Sequence, residues 1–422
     1  MNARELARRV LERIERDQAW ATPALDGELA RAHLEDRDRR LASELVYGVL
    51  RHRTRLDRAL SAHADLKKTP LRVVIALRLA AYQLLLLDRV PAYAAVDDAV
   101  AAARASGGAK LAGFANAVLR KLGPGKEPTL PGELLARLAI EFSLPRWILD
   151  ELVAADPDHV AAHAAAFATS APLVARANVR RTTRDALIAA FEASGRSVHP
   201  VEIEPGTPQA LAIDDLGDPA RDASFVAGEW TVQDPGAQLV AHIAAPRAGM
   251  KILDACAGVG GKSTHLAELS GDAAHIDAAD RSAIKLGLAA ETARRLGLTS
   301  LHSHVCDLTD PGAPLASDYD LIVLDAPCSG LGVLRRHPDA KWRLVAGDVP
   351  RLARVQAELL DAVVPRLART GTLIYSVCTF TRAEGPDQAR ALAERSGLRL
   401  VAEHRTWPPG ADAFYLARFE RV

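Results

Sequence analysis

The sequence predicts an α/β protein with a mostly parallel, doubly wound sheet in the C-terminal part. An all-helical domain precedes it at the N-terminus, with a small α+β subdomain in between. Three observations carry that prediction. Residues 1 to 122 show apolar spacing of the helical kind only; from residue 172 short apolar runs appear; and from about residue 230 such runs alternate with amphipathic stretches of helix length. Strands separated by helices of that length form parallel sheets covered on both faces. At 422 residues the chain exceeds one compact core, and roughly two to four domains are expected.

In chain order, Leu6, Val10 and Ile14 recur at four-residue spacing, as do Leu41, Leu45 and Val49, and Leu111, Phe114, Val118 and Leu122 continue the pattern. Thr69-Pro70 reads as an N-cap followed by proline at the first helical position. These signals place an all-helical domain over 1–125. "GPGKEPTLPG" (123 to 132) breaks the periodicity and leads into a segment of linker and helices over 126–170, including "ELLARLAIEFSLPRWILDELVAA". Over 171–229, "PLVARANV", "SVHPVEI" and "ALAI" read as strands and "TTRDALIAAFEASG" as a helix, giving the small α+β subdomain. Over 230–422, "KILDAC", "HIDAAD", "LHSHVCD", "LIVLDAP" and "GTLIYSVCTF" read as strands. Helices are expected from Ser263, through "KLGLAAETARRLG", and over 350 to 368.

Formal net charge is zero, which argues against holding nucleic acid by overall charge alone. Residues 1 to 122, however, carry 22 Lys and Arg against 15 Asp and Glu, so the basic end is the candidate for phosphate contact. Cys256, Cys306, Cys328 and Cys378 lie far apart, with no Cys-x-x-Cys pair or short Cys/His spacing that would suggest zinc, and no metal is expected. Residues 1 to 17 are too charged for a secretory signal. "VVIALRLAAYQLLLL" is interrupted by Arg78 and is too short to span a bilayer comfortably. A monomeric cytoplasmic protein with reduced thiols and no membrane association is the expectation.

Ligands of open parallel sheets bind beyond the carboxyl ends of the strands, and several such ends here carry polar or reactive residues. In "LDACAGVGGKST", Gly258, Gly260 and Gly261 let the backbone approach a ligand closely. Gly261-Lys262-Ser263 matches the end of a phosphate-binding P-loop, but Cys256 stands where that motif needs its first glycine. Asp280 ends the next strand and could accept both hydroxyls of a ribose or cap the following helix; Asp307 has the same ambiguity. Repeated carboxylates would repel a triphosphate lacking its metal, so a nucleoside ligand without phosphates is favoured, and S-adenosylmethionine meets that description. Cys328, in Asp325-Ala326-Pro327-Cys328, and Cys378, in "YSVCTFT", each follow a strand. A buried structural cysteine is the common alternative for either one alone. Two of them beside a cofactor pocket suit reversible covalent catalysis, because thiolate addition to C6 of a pyrimidine makes C5 nucleophilic. The residues alone do not choose between the two; a Pro-Cys cysteine attacks in DNA cytosine methyltransferases, which would favour Cys328.

"LDACAGVGGKSTHL", "LDAPCSGLGVLRRHPDAKW" and "YSVCT" resemble the signature motifs of the RNA cytosine-C5 methyltransferases of the NOL/NOP2/Sun class. The helical N-terminus resembles a NusB-type RNA-binding domain. Together they resemble the layout of the ribosomal small subunit methyltransferase B family over nearly the whole chain. The resemblance implies a Rossmann-like, S-adenosylmethionine-dependent catalytic domain acting on a cytosine of 16S ribosomal RNA. It implies that Cys378 is the nucleophile and that Cys328 assists product release. Cys256, Ala257, Gly258, Val259, Gly260, Gly261, Lys262, Asp280, Asp307 and Asp325 are implied to contact S-adenosylmethionine, with Asp325 alternatively facing the base at N3. The sequence departs from the family pattern at Gly258-Val259, where Ala-Pro is usual, at Val377, where Thr is commoner, and at Gly385, where Asn is frequent.

"LRRHPDAKWR" places Arg335, Arg336, His337, Lys341 and Trp342 just after Cys328. Beside reactive strand ends these residues are expected to grip RNA phosphates and stack on an extruded base, although a solvated basic loop is the ordinary alternative. Transfer RNA or another structured RNA is the alternative substrate. A P-loop-like nucleotide-binding protein and a noncatalytic RNA-binding factor are the alternatives of another class.

Overall fold

The computed structural model describes every residue except Arg89, Asp215 and Val422. The chain forms two compact units: residues 1–153, 158–170 and 334–343 make the first, and residues 154–157, 171–333 and 344–422 the second.

The first unit is helical. The apolar stripe expected from sequence forms its core, with Leu6, Val10, Leu45, Val49 and Val118 all buried. The helix Leu71–Leu86 begins one residue later than the Thr69-Pro70 signal suggests: Pro70 takes the capping position, and Thr69 Oγ1 donates to the Asp65 carbonyl instead. Arg78 is tolerated in the buried helix because it forks onto Asp57 at 2.7 and 2.9 Å and reaches Glu15 at 2.9 Å. The segment read as linker and helices holds to this unit. Arg55 pairs with both oxygens of Glu127, Arg58 donates to the Thr129 carbonyl, and the Arg55 amide donates to Ser143 Oγ. Among the described residues, no helix is long and apolar enough to cross a membrane.

The second unit holds two sheets. Strands β1 (Leu173–Ala177), β2 (Val198–Pro200), β3 (Ala210–Ile213) and β4 (Trp230–Val232) form an antiparallel sheet in the order β2-β3-β1-β4. The larger sheet contains β5 (Lys251–Asp254), β6 (His275–Asp280), β7 (Leu301–Val305), β8 (Tyr319–Asp325), β9 (Leu367–Val377), β10 (Leu398–Arg405) and β11 (Tyr415–Arg421). Its order is β10-β11-β9-β8-β5-β6-β7, parallel from β9 to β7 and antiparallel at β10 and β11. From β5 the chain winds outward through β6 to β7, then crosses to β8 on the other side. Neighbouring strands β5 and β8 therefore send their following loops in opposite directions, which opens the crevice where such sheets bind ligands.

Strands β5 to β9 lie where the apolar runs predict. The helix expected over 350 to 368 spans Asp348–Val363 and ends in a 3-10 turn, Val364–Arg366. The last two strands were not foreseen. Beyond buried Leu398, β10 alternates exposed and half-buried residues and carries Arg399, Glu403, His404 and Arg405 at the sheet edge, so its apolar content is too thin to stand out.

Candidate active site

The ends of five strands of the large sheet, β5 to β9, supply the site. After β5 the chain turns through Ala255 to Gly260 into the helix Gly261–Leu269. Gly260 sits at φ +81°, and a Cβ there would meet Ala289 Cβ at 2.6 Å, so this glycine lets the turn press against the helix Ala283–Leu296. At the end of β6, Asp280 Oδ2 accepts from the Gly258 amide at 3.0 Å and Oδ1 from the Ser282 amide at 2.8 Å. The cap of the next helix is Ser282, whose Oγ accepts from the Lys285 amide. Asp280 thus braces the glycine loop, and each carboxylate oxygen retains acceptor capacity toward a ligand. Beyond β7, Asp307 Oδ1 accepts from the Thr309 amide and hydroxyl, which together hold its carboxyl below the usual range.

These ends line a cavity of about 450 Å³ with Cys256, Asp280, Asp307, Pro327 and Glu358 in its wall. Among the residues expected at the cofactor, Cys256, Asp280 and Asp307 are therefore at the cavity. Ala257 is buried, Val259 is exposed, and the Gly261 carbonyl accepts from Arg176 at 2.9 Å. Burial pushes the Cys256 thiol well up, which makes it a wall rather than a nucleophile.

Beside the cavity stands a second cluster. Asp325, at the end of β8, accepts from Lys262 Nζ at 2.5 Å and from Ser376 Oγ at 2.8 Å. Burial lowers the Lys262 pKa, but Asp325 more than offsets it and the net shift is upward. That pairing bears on the P-loop alternative, because a lysine neutralised by an aspartate is not poised for a triphosphate. Three positions past Asp325, Cys328 Sγ lies 3.3 Å from Cys378 Sγ, which follows β9. The hydrogen bond with Cys378, then burial, pushes the Cys328 thiol well up.

Asp254 and Arg176 are among the residues missed from sequence, as is Glu358 in the cavity wall. Asp254 ends β5 and has no exposed surface; its Oδ2 accepts from Ser263 Oγ at 2.6 Å, while its buried Oδ1 has no hydrogen-bond partner among the described residues. Burial pushes its carboxyl up to about 6, with Asp325 and Asp280 adding and Ser263 and Lys262 opposing. Its place in "KILDAC" was the available signal. Arg176, fully buried on β1, pairs with Glu268 at 2.8 Å and donates to Thr264 Oγ1 at 3.1 Å; no local pattern marks it. An orphaned buried carboxylate oxygen one residue from the cavity-lining Ala255, with Asp280, Asp307 and Glu358 in the wall, suits a ligand carrying hydroxyls and a positive centre. The chemistry of S-adenosylmethionine fits that donor set.

The basic stretch after Cys328 is arranged differently from expectation. Residues 334–343 belong to the helical unit. There Lys341 is buried and donates from Nζ to the Arg51 carbonyl at 2.7 Å, Trp342 Nε1 donates to the Leu50 carbonyl at 2.7 Å, and buried Arg335 donates to the Ser170 carbonyl at 3.2 Å. Asp339 accepts from the Ala21 amide at 3.0 Å. The expected phosphate grip is corrected for Lys341 and Arg335, whose donors face protein carbonyls. His337 is exposed and Arg336 half-buried.

Comparison with known proteins gives three family matches: the NusB family over residues 1–123, the ferredoxin-like domain of RsmF/B-like methyltransferases over 144–217, and the 16S rRNA methyltransferase RsmB/F family over 241–419. A probable ribosomal RNA small subunit methyltransferase B of Synechocystis sp. is 35% identical over 418 residues, covering 96% of this chain and 90% of that protein. A probable methyltransferase of the same description from Bacillus subtilis is 33% identical over 414 residues, covering 97% and 90%. In fold, the chain matches the crystal structure of PH0851 with a TM-score of 0.81 at 21% identity, covering 100% of this chain and 99% of the other.

Proposed function

The chain belongs to the ribosomal RNA small subunit methyltransferase B family, and from that premise we propose that it methylates C5 of a cytosine in 16S ribosomal RNA through a covalent Cys378–C6 intermediate. The observation that carries this reading is the pair of sulfurs, Cys328 Sγ and Cys378 Sγ, 3.3 Å apart at adjacent strand ends beside an acidic cavity. Asp280 and Asp307 would hold the ribose and base side of S-adenosylmethionine, and Asp254 its cationic end. Bound there, S-adenosylmethionine supplies an electrophilic methyl group for the activated C5.

The protein's own residues supply the activation. Cys378 Sγ, as thiolate, forms a bond to C6 of the base, and the electron pair displaced from the C5–C6 double bond makes C5 nucleophilic. Negative charge develops at N3 as that bond forms, and the Lys262–Asp325 pair would neutralise it by passing the Lys262 proton to N3 through the Asp325 carboxyl, which Ser376 holds in place. After methylation a base removes the C5 proton, the C6–S bond breaks, and Cys378 leaves as thiolate with the assistance of Cys328. Substrate RNA is engaged by the basic helical domain, in the cytoplasm and by a monomer.

The test is an unmodified 16S rRNA transcript incubated with methyl-labelled S-adenosylmethionine and digested to nucleosides. Label in 5-methylcytidine is the expected result. Label in another nucleoside, or methylation of transfer RNA in place of 16S rRNA, overturns the reading.

A further inference from the structure

The two cysteine loops meet at a carboxylate that the proposed chemistry does not use. Glu384 has no exposed surface. Its Oε1 accepts from the Ser329 amide at 2.7 Å and from Gln356 Nε2 at 3.1 Å; its Oε2 accepts from Ser329 Oγ at 2.6 Å and from Thr381 Oγ1 at 2.9 Å. An ionised carboxylate accepts on both oxygens and donates nothing, so this ring of donors matches it as no neutral side chain would.

The partners are the neighbours of the two sulfurs. Ser329 follows Cys328, and Gln356 also donates to the carbonyl of Pro327, which precedes it, at 3.0 Å. Ser329 Oγ lies 3.0 Å from the hydroxyl of Thr379, the residue after Cys378. The Gly332 amide donates to the Cys378 carbonyl at 3.0 Å. Both cysteine loops thus hang on one buried anion.

We infer that Glu384 is a positioning residue for methyl transfer: its carboxylate locks the Cys328 and Cys378 loops together and sets the separation of their sulfurs. The inference rests on the covalent reading above, in which one sulfur must attack a base that the other helps to release. Misplacing reacting groups by about 1 Å costs on the order of 100-fold in rate. Glu384→Gln keeps one acceptor oxygen for the Ser329 amide, and its NH2 can face Ser329 Oγ and Thr381 Oγ1, hydroxyls that are able to turn and accept. Glu384→Ala leaves all four donors without the carboxylate.

Two measurements on the full-length protein test this. In single-turnover methylation, Glu384→Ala should lower the rate constant about 100-fold, with S-adenosylmethionine affinity and RNA KM within about twofold, and Glu384→Gln should recover part of the loss. In parallel, phenylarsine oxide, which bonds to two thiols at once, reports their separation without any turnover. Capture that depends on both Cys328 and Cys378 should weaken about tenfold or more in Glu384→Ala. The inference is overturned if that variant keeps both turnover and arsenical capture. It is also overturned if turnover falls only in step with cofactor affinity or melting temperature, since that marks a general structural role. Methylation surviving in Cys378→Ala would instead defeat the covalent reading, and arsenical capture alone would then decide for or against Glu384.

Discussion

Residues 325 to 330 and residues 334 to 343 are neighbours in sequence, and both are dense in polar chemistry. In the first stretch, Asp325 and Cys328 face other reactive groups: a lysine at 2.5 Å and a second sulfur at 3.3 Å. In the second, Lys341, Trp342 and Arg335 spend their donors on backbone carbonyls of the helical unit. The difference teaches that residue type signals chemistry only where the topology forces side chains to converge. Strand ends of a parallel sheet do so, whereas a basic run has no built-in destination.

The sharpest way to break this contrast is to remove the reactive groups one at a time. Cys378→Ala should abolish methyl transfer and leave no RNA–protein species on a denaturing gel, the largest effect expected. Cys328→Ala should still attack and methylate but stall before elimination, so the covalent species accumulates. Adduct in the Cys378 variant and none in the Cys328 variant would move the nucleophile to the Pro-Cys sulfur.

On the other side of the contrast, Trp342→Ala should cost about 2–3 kcal/mol of stability, because it opens space against the helical core and leaves the Leu50 carbonyl without its donor. A urea midpoint unchanged in that variant, or a loss of RNA affinity in a fully stable protein, would return Trp342 to the role of a stacking surface.

Within the site, Asp280→Ala should weaken S-adenosylmethionine by about 1–3 kcal/mol, as measured by calorimetry, through loss of a ribose acceptor. Equal affinity in the variant would leave Asp280 only its hydrogen bonds to Gly258 and Ser282.

Asp254 separates site from scaffold through pH. Its carboxyl titrates near 6 when folded against about 4 when unfolded. Between those values the folded state holds a proton that the unfolded state has released, so this group's contribution to stability falls as pH rises through the window. Above the window the buried charge costs about 1–3 kcal/mol. Asp254→Asn should therefore melt higher than the parent at pH 8 and show no such gain at pH 4. The same offset at both values would mean that Asp254 is not ionising in the fold.

How much of this was legible follows the same division. The runs "KILDAC", "HIDAAD" and "LIVLDAP" announce β5, β6 and β8, and an aspartate closing each run announces a strand end. Cys328 and Cys378 were legible as a pair because both follow strands. Lys341 was not, since its burial depends on a carbonyl 290 positions away, and Glu384 depends on Ser329, 55 positions away. Arg176 is matched by Glu268 across 92 positions. A buried charge is specified by its partner, and a partner that distant leaves no local periodicity to read.

The smallest effect tests which positive charges meet RNA. Deleting the helical domain would be a poor probe, because Lys341 and Trp342 rely on Arg51 and Leu50 for their hydrogen bonds, and losing them would disturb the stretch that follows the Cys328 loop in sequence. Lys67, Lys68 and Lys110 are exposed on the helical unit, so replacing all three with Gln removes charge without touching that packing. If they lie over phosphates, the slope of log affinity against log salt should shrink by about 1–2, with a modest loss of affinity at physiological salt. Lys341→Gln should leave the slope as it was, because a charge already facing a protein carbonyl displaces no counterion from RNA. A slope that responds to Lys341 and ignores the three exposed lysines would reverse the contrast, making the stretch after Cys328 the part of the chain that RNA pulls free and holds.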